Sequence, residues 1–189
     1  MRSGHDPQKR FHPLVDWTTG WSWLRNGPNK LESQLVHQVK YGGDPRLAAA
    51  LGHAMADEWE KGQQALDGLW AVIPIPLHKR RQRQRGYNQS QALAEGWCQR
   101  TGMVQLHALV RPHSGRSLTR QHRRERIQNT RGLYAISPSF DLACLQPLAG
   151  CLLLDDVVTT GSTLEAAHSA LRVHWKGPIG FITLLDAAR

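Results

Sequence analysis

The stretch CLLLDDVVTTGSTLEAAHSAL, from Cys151 to Leu171, decides the fold. Cys151 to Asp155 reads as a buried strand with two adjacent carboxylates, Asp155 and Asp156, at its end. The turn Thr159-Thr160-Gly161-Ser162-Thr163 follows, and a helix begins there. Backbone N–H groups at a helix start are unsatisfied and carry the positive end of the helix dipole. Gly161 lets the backbone approach an anion closely. The four hydroxyl side chains add donors, whereas an N-cap needs only one. Ionised carboxylates accept hydrogen bonds only, so they suit hydroxyls or a hydrated cation. A phosphate on one side and vicinal hydroxyls on the other describe a ribose 5-phosphate.

Working outward, Ser162 to Glu165 matches a capping box, with Ser162 as N-cap. Ala166, Ala167, Ala170 and Leu171 give a helical apolar stripe that should stop near Gly177-Pro178. Ile179 to Leu185 is the next apolar strand. Strand, turn, helix and strand make a βαβ unit, which builds parallel sheets.

The rest of the chain has a readable order. Residues 1–30, with Trp17, Trp21 and Trp23, show no period and are expected to be irregular. Their tryptophans either pack on the main domain or form a base-stacking platform. Leu31, Leu35, Val36 and Val39 mark a helix ended by Gly42-Gly43. Asp44-Pro45 starts another, marked by Leu47, Leu51, Ala54 and Met55 and running out near Gly62. Leu69 to Ile75 is a strand, His78 to Gly86 a basic loop, and Asn88 to about Arg100 a helix through Ala92, Leu93 and Trp97. Val104 to Val110 and Leu133 to Ile136 are further strands. Arg111 to Gly132 is polar, basic and almost without apolar residues, as functional loops are. The expected organisation is α/β: an N-terminal hood of irregular segment and helices over 1–65, and a mostly parallel sheet flanked by helices over 66–189.

A length of 189 residues suits one core, and an apolar fraction of 40% is ordinary for a soluble protein. No apolar run approaches the ~20 residues of a membrane helix, so no membrane insertion is expected. The N-terminus lacks a signal-peptide core and the three cysteines are too scattered for a disulfide framework, which makes the cytoplasm the expected compartment. The net charge of +9 is uneven: Lys79 to Arg85 and Arg111 to Arg131 hold 12 of the 24 Lys and Arg. Positive charge gathered in two places points to a polyanion, either a polyphosphate or a nucleic acid.

The doubled acid followed by Thr-Thr-Gly-Ser-Thr resembles the phosphoribosyl pyrophosphate (PRPP) motif of type I phosphoribosyltransferases. Further motifs extend the likeness: Lys40-Tyr41-Gly42-Gly43-Asp44, Ile73-Pro74-Ile75-Pro76-Leu77, Arg85-Gly86-Tyr87-Asn88-Gln89, and Thr119, Gln121, Glu125-Arg126, Asn129 and Gly132. In this order they resemble the ComF family, related to competence and DNA-utilisation proteins. The resemblance covers roughly Leu35 to Leu185. Members often begin with a cysteine-rich zinc module, whereas residues 1–97 here hold no cysteine.

The resemblance implies a type I phosphoribosyltransferase fold, with Asp155 and Asp156 on the ribose hydroxyls. Val157, Val158 and Thr159 to Thr163 would wrap the 5-phosphate. The loop Pro74, Ile75, Pro76, Leu77, His78 and Lys79, with Arg85, Gly86 and Asn88, would serve the pyrophosphate. Arg111 to Arg131 would be a mobile lid, with Arg116, Arg120 and Arg126 as candidate pyrophosphate contacts. Tyr87, Asn88 and Gln89 either bind a base or phosphate, or cap a helix. Asp156 is also a candidate proton acceptor. Mg²⁺ is the expected cofactor, held through pyrophosphate and ribose with Asp155 and Asp156 as its candidate protein contacts. The implied activity is phosphoribosyl transfer from PRPP to an unidentified, nucleobase-like acceptor. A non-catalytic accessory role is the competing class, sensing PRPP or partnering single-stranded DNA or the DNA-uptake machinery. A homodimer is compatible with either.

Overall fold

The computed structural model describes residues 15–25, 31–62, 66–112 and 132–187. Its centre is a five-stranded, wholly parallel sheet in the order β1-β7-β6-β2-β3. The strands are β1 (Gly20–Arg25), β2 (Trp70–Pro74), β3 (Val104–Gln105), β6 (Gly150–Val158) and β7 (Ile179–Asp186). A separate antiparallel ribbon pairs β4 (Leu109–Val110) with β5 (Ala135–Ile136). The helices are α1 (Leu31–Tyr41), α2 (Pro45–Gly62), α3 (Lys79–Arg85), α4 (Gln89–Thr101) and α5 (Ser162–Arg172). The α/β architecture, a parallel sheet flanked by helices, is the one expected.

Period-two alternation along β6 divides the core. Leu152 and Leu154 face α1, α2 and α4, while Cys151 and Leu153 face α5 and the β4–β5 ribbon. On the first side Trp21, Trp59 and Trp97 meet edge to face at 5.6–6.2 Å. On the second, Trp17 packs edge-on against Phe181 and His168, both at 4.8 Å. Trp21 and Trp17 are therefore built into the protein, and Trp23 packs at the core margin. They do not form a stacking platform.

Several boundaries differ from expectation, each for a local reason. Residues 20–25 are a strand, not part of an irregular segment. Hydrogen bonding to β7 and the Ser22–Thr183 hydroxyl contact outweigh the weak local pattern. His78 to Gly86 holds a helix where a loop was expected. His78 Nδ1 accepts from the Arg80 N–H, Gly86 closes the helix in the left-handed region at φ 81°, and Arg, Lys and Gln favour helix between them. Val104 to Val110 divides into β3 and β4, which join different sheets. α5 ends at Arg172, short of Gly177-Pro178, and the Arg172 guanidinium turns back to the Gly177 carbonyl at 2.8 Å. α2 starts as read, with Asp44 Oδ1 accepting the Arg46 N–H at 2.9 Å. Its buried face, however, runs through Ala48, Gly52, Met55, Ala56 and Trp59, leaving Leu47 exposed. No helix among the described residues is long and apolar enough to cross a membrane.

Candidate functional site

The chain passes from β2 to β3 on one side of the sheet and later returns to β6 on the other side of β2. The strand order thus reverses between β2 and β6. In open α/β sheets the crevice beyond the carboxyl ends of such a pair is where ligands bind. The loop after β2 (residues 75–78) and the turn after β6 (159–161) both open there. The register sets their offset. Pro74 pairs with Leu154 and the Ile75 N–H donates to the Leu154 carbonyl at 2.9 Å. β6 then runs four residues past its neighbour, and the acid pair falls in that overhang. Asp155 and Asp156 therefore lie within β6, bonded to β7, rather than at the strand end.

Each carboxylate is held by a different helix. Ser90 Oγ, in the first turn of α4, donates to Asp155 Oδ1 at 2.9 Å, and the Asp156 N–H donates to the same oxygen at 2.8 Å. Lys40 Nζ, in the last turn of α1, lies 3.4 Å from Asp156 Oδ1. Burial, with the neighbouring Asp156 charge, holds the Asp155 carboxyl well above the usual carboxylate range. Neither Lys40 nor Ser90 was singled out from sequence as a site residue. Lys40 does lie in the Lys40 to Asp44 motif, but its pairing with Asp156 spans 116 positions, and no local pattern encodes such a contact.

The turn after β6 departs from a capping box. Gly161 is the N-cap, at φ 82°, and Ser162 is already the first helical residue. No side chain caps the helix; the Ser162 hydroxyl meets that of Thr160 at 3.2 Å. With Gly161 in the cap position, the residue whose side chain would cap the helix has no side chain. The first N–H groups of α5 stay available to a ligand, beside the exposed Thr159 and Thr160. Val158 is buried in the core and its carbonyl accepts the Ala187 N–H at 2.8 Å, so it supports the turn from beneath.

On the opposite wall, Ile75 is buried while Pro76, Leu77 and His78 are half-exposed and Lys79 is exposed. Asn88 Nδ2 donates to the Ile75 carbonyl at 3.1 Å, and Asn88 Oδ1 accepts the Ser90 N–H at 3.2 Å. Asn88 thus caps α4 and props the loop from beneath. The Tyr87 hydroxyl donates to the Val39 carbonyl, and Gln89 Oε1 accepts from Arg85 at 2.9 Å. Of the two readings of Tyr87 to Gln89, the geometry favours capping and bracing. Arg85 also lies over the Tyr41 ring, at 5.2 Å.

The expected lid contacts Arg116, Arg120 and Arg126 lie outside the described residues. The chain on either side of them is bound into the β4–β5 ribbon. There Arg111 sits over the Tyr134 ring at 5.6 Å. The Tyr134 phenol is pushed up by burial, then by the Asp155 carboxylate.

No protein-family model matches the chain. It is 33% identical over 148 residues to "Competence protein F" of Haemophilus influenzae, covering 74% of this chain and 61% of that one. It is 30% identical over 154 residues to "DNA utilization protein YhgH" of Salmonella typhimurium, with the same coverage. "Competence protein ComFC" of Bacillus subtilis is 27% identical over 147 residues, covering 76% of this chain and 54% of that one. The chain is thus similar to ComF-type competence and DNA-utilisation proteins over about three quarters of its own length. It spans a little over half the length of these relatives. A solved glutamine PRPP amidotransferase from B. subtilis aligns with TM-score 0.48 and 17% identity, over 78% of this chain and 30% of that one. The "allosteric regulatory enzyme of purine biosynthesis" gives TM-score 0.48 and 15% identity over the same shares.

Proposed function

We propose that this chain is a ComF-type protein that binds PRPP with Mg²⁺ and transfers its phosphoribosyl group to an acceptor still to be identified. One observation carries the reading: the acid pair, the hydroxyl-rich helix start and the Pro74 to Lys79 loop meet at the reversal of strand order. Asp155 and Asp156 accept the ribose hydroxyls. The α5 N–H groups and the hydroxyls of Thr159 to Thr163 hold the 5-phosphate, with the backbone of Val157 and Val158 beneath. Lys79, Arg85 and the loop backbone, with Gly86 giving the chain its turn, receive the pyrophosphate. Arg116, Arg120 and Arg126 are assigned to its outer oxygens. As the bond from ribose C1 to pyrophosphate breaks, positive charge grows on the sugar and negative charge on the leaving group. The acid pair stabilises the first and the basic residues the second.

The donor set fits Mg²⁺ held mostly by its ligand. Two carboxylates stand side by side, and no cluster of three His, Cys, Asp or Glu suited to a metal occurs among the described residues. Such a cation keeps waters and takes phosphate oxygens. Asp155 and Asp156 are its protein contacts, and its chemistry is to neutralise the departing pyrophosphate. Titration calorimetry of PRPP with Mg²⁺ tests the reading. Heat is expected with wild type and lost in Asp155→Ala/Asp156→Ala. No heat with wild type, or unchanged affinity in the double variant, rules it out. Incubation with PRPP, Mg²⁺ and a fractionated metabolite extract then identifies the acceptor by pyrophosphate release.

A second reading, single-stranded DNA binding in an accessory role, is favoured by α3. Lys79, Arg80, Arg81 and Arg83 are exposed there, and no ion pair forms on them among the described residues. Binding through them weakens as salt rises; an affinity indifferent to salt removes this reading.

A further inference from the structure

Lys40 has no part in the chemistry above, yet its ammonium lies 3.4 Å from one of the two site carboxylates. Lys40 is not a loose surface lysine. Its side chain is 23% exposed, and that of Asp156 only 11%. The turn that carries it is fixed at three adjacent positions. Val39 is fully buried and its carbonyl accepts the Tyr87 hydroxyl, Lys40 meets Asp156, and the Tyr41 ring lies under Arg85. Asp155 is occupied differently, with Oδ1 taking hydrogen bonds from both Ser90 Oγ and the Asp156 N–H. Two adjacent carboxylates would ordinarily attract a divalent cation from solution. Here one of them already holds a cation tethered to the chain.

We propose that Lys40 fills the cation position beside Asp156 in the ligand-free protein and makes entry of a divalent ion conditional on a diphosphate-bearing ligand. The inference rests on the PRPP reading for the identity of that ligand. The tethered ammonium competes with any hydrated ion that approaches alone. A diphosphate changes the balance. It brings phosphate oxygens to the divalent ion and offers the ammonium a second anion, which frees Asp156. The ion then enters with its ligand and not ahead of it. Lys40 is thus a positioning residue of the site.

The test uses the full chain and Mn²⁺ alone, with free Mn²⁺ followed by electron paramagnetic resonance. Wild type and Lys40→Arg, which keeps the charge, are expected to bind Mn²⁺ weakly. Lys40→Met, close in shape without the charge, should bind it about tenfold tighter or more, as removal of one cation at this distance dictates. Adding Asp156→Asn to Lys40→Met should abolish the gain, which locates it at the acid pair. Thermal melts establish that each variant is folded, and Lys40→Gln replaces Lys40→Met if that variant is not. Equal Mn²⁺ affinity in wild type and the neutral variants overturns the proposal, as does a gain that survives Asp156→Asn. PRPP calorimetry on wild type runs in parallel. If PRPP fails to bind but Lys40→Met gains Mn²⁺, the donor assignment falls and the ion-excluding role of Lys40 stands.

Discussion

Asp155 is held between opposing demands. Burial and the Asp156 charge disfavour its ionised form, while Ser90, the Asp156 N–H and Lys40 favour it. The first two prevail, so its folded midpoint lies above the unfolded value of about 3.9. A carboxyl raised in this way contributes stability below about pH 4, and that stability is lost as pH rises through the folded midpoint. Ionised Asp155 is therefore unfavourable to the fold at neutral pH. Asp155→Asn removes the charge and keeps the shape. Its melting temperature should exceed that of wild type at about pH 8 and approach it at about pH 4, read by circular dichroism. A difference that stays constant across this range would refute the sign. On the proposed reading, in which the ribose hydroxyls meet an ionised pair, PRPP affinity should fall over the same interval as pH is lowered.

Among the elements, α4 matters most to the site, because its first turn carries Ser90 and its cap Asn88. Its position is set by a reciprocal glycine contact with α2. A Cβ on Gly52 would lie 1.9 Å from the Leu93 carbonyl oxygen, and one on Gly96 would lie 1.8 Å from that of Ala49. The helices are close enough that backbone meets backbone, and neither can yield as a flexible side chain would. Gly52→Ala should cost about 3 kcal/mol by overpacking, lowering the melting temperature by about 6–12 °C. It should also weaken PRPP binding, because α4 shifts and withdraws Ser90 from Asp155. A Gly52→Ala variant with unchanged stability would contradict the close crossing. The same elements show what can be read from sequence. β6, α5 and β7 were legible because their apolar runs and stripe are long and uninterrupted. β1 was not, since Gly20-Trp21-Ser22-Trp23 derives its strand character from β7. α3 has no apolar residue and so no period to detect. Gly52 and Gly96 carry no signal of their own in the sequence, because their role arises only where the two helices cross. At the site, the acid pair and the hydroxyl turn were legible because they are contiguous. Lys40 and Ser90 reach Asp156 and Asp155 across the fold, which no spacing records.

For the molecule as a whole, the net charge of +9 is arranged rather than spread. On α2, Asp57 and Glu60 pair with Arg100 of α4 and Glu58 pairs with Lys61, so the charges there are partnered. α3 begins directly after the loop of residues 75–78, and its Lys79, Arg80, Arg81 and Arg83 form no such pairs among the described residues. Lys79, Gln82, Arg83 and Gly86 line a shallow surface concavity at this place. Any polyanion approaching the crevice meets that face, whether it is the donor or a nucleic-acid strand. Salt dependence separates the two. A single strand releases about 0.7 counterion per neutralised phosphate. If α3 contacts phosphates through Arg80 and Arg83, Arg80→Gln/Arg83→Gln should flatten the slope of log affinity against log salt by about 1.4. A labelled oligothymidylate, followed by fluorescence anisotropy over a salt series, measures that slope. PRPP calorimetry on the same variant should remain close to wild type, because Lys79 and Arg85, the α3 residues assigned to the pyrophosphate, are intact. A parallel loss in both assays would mean that one anion site serves both ligands. An unchanged slope would mean that no strand docks on α3, and its charge would then act only in drawing the small donor toward the crevice.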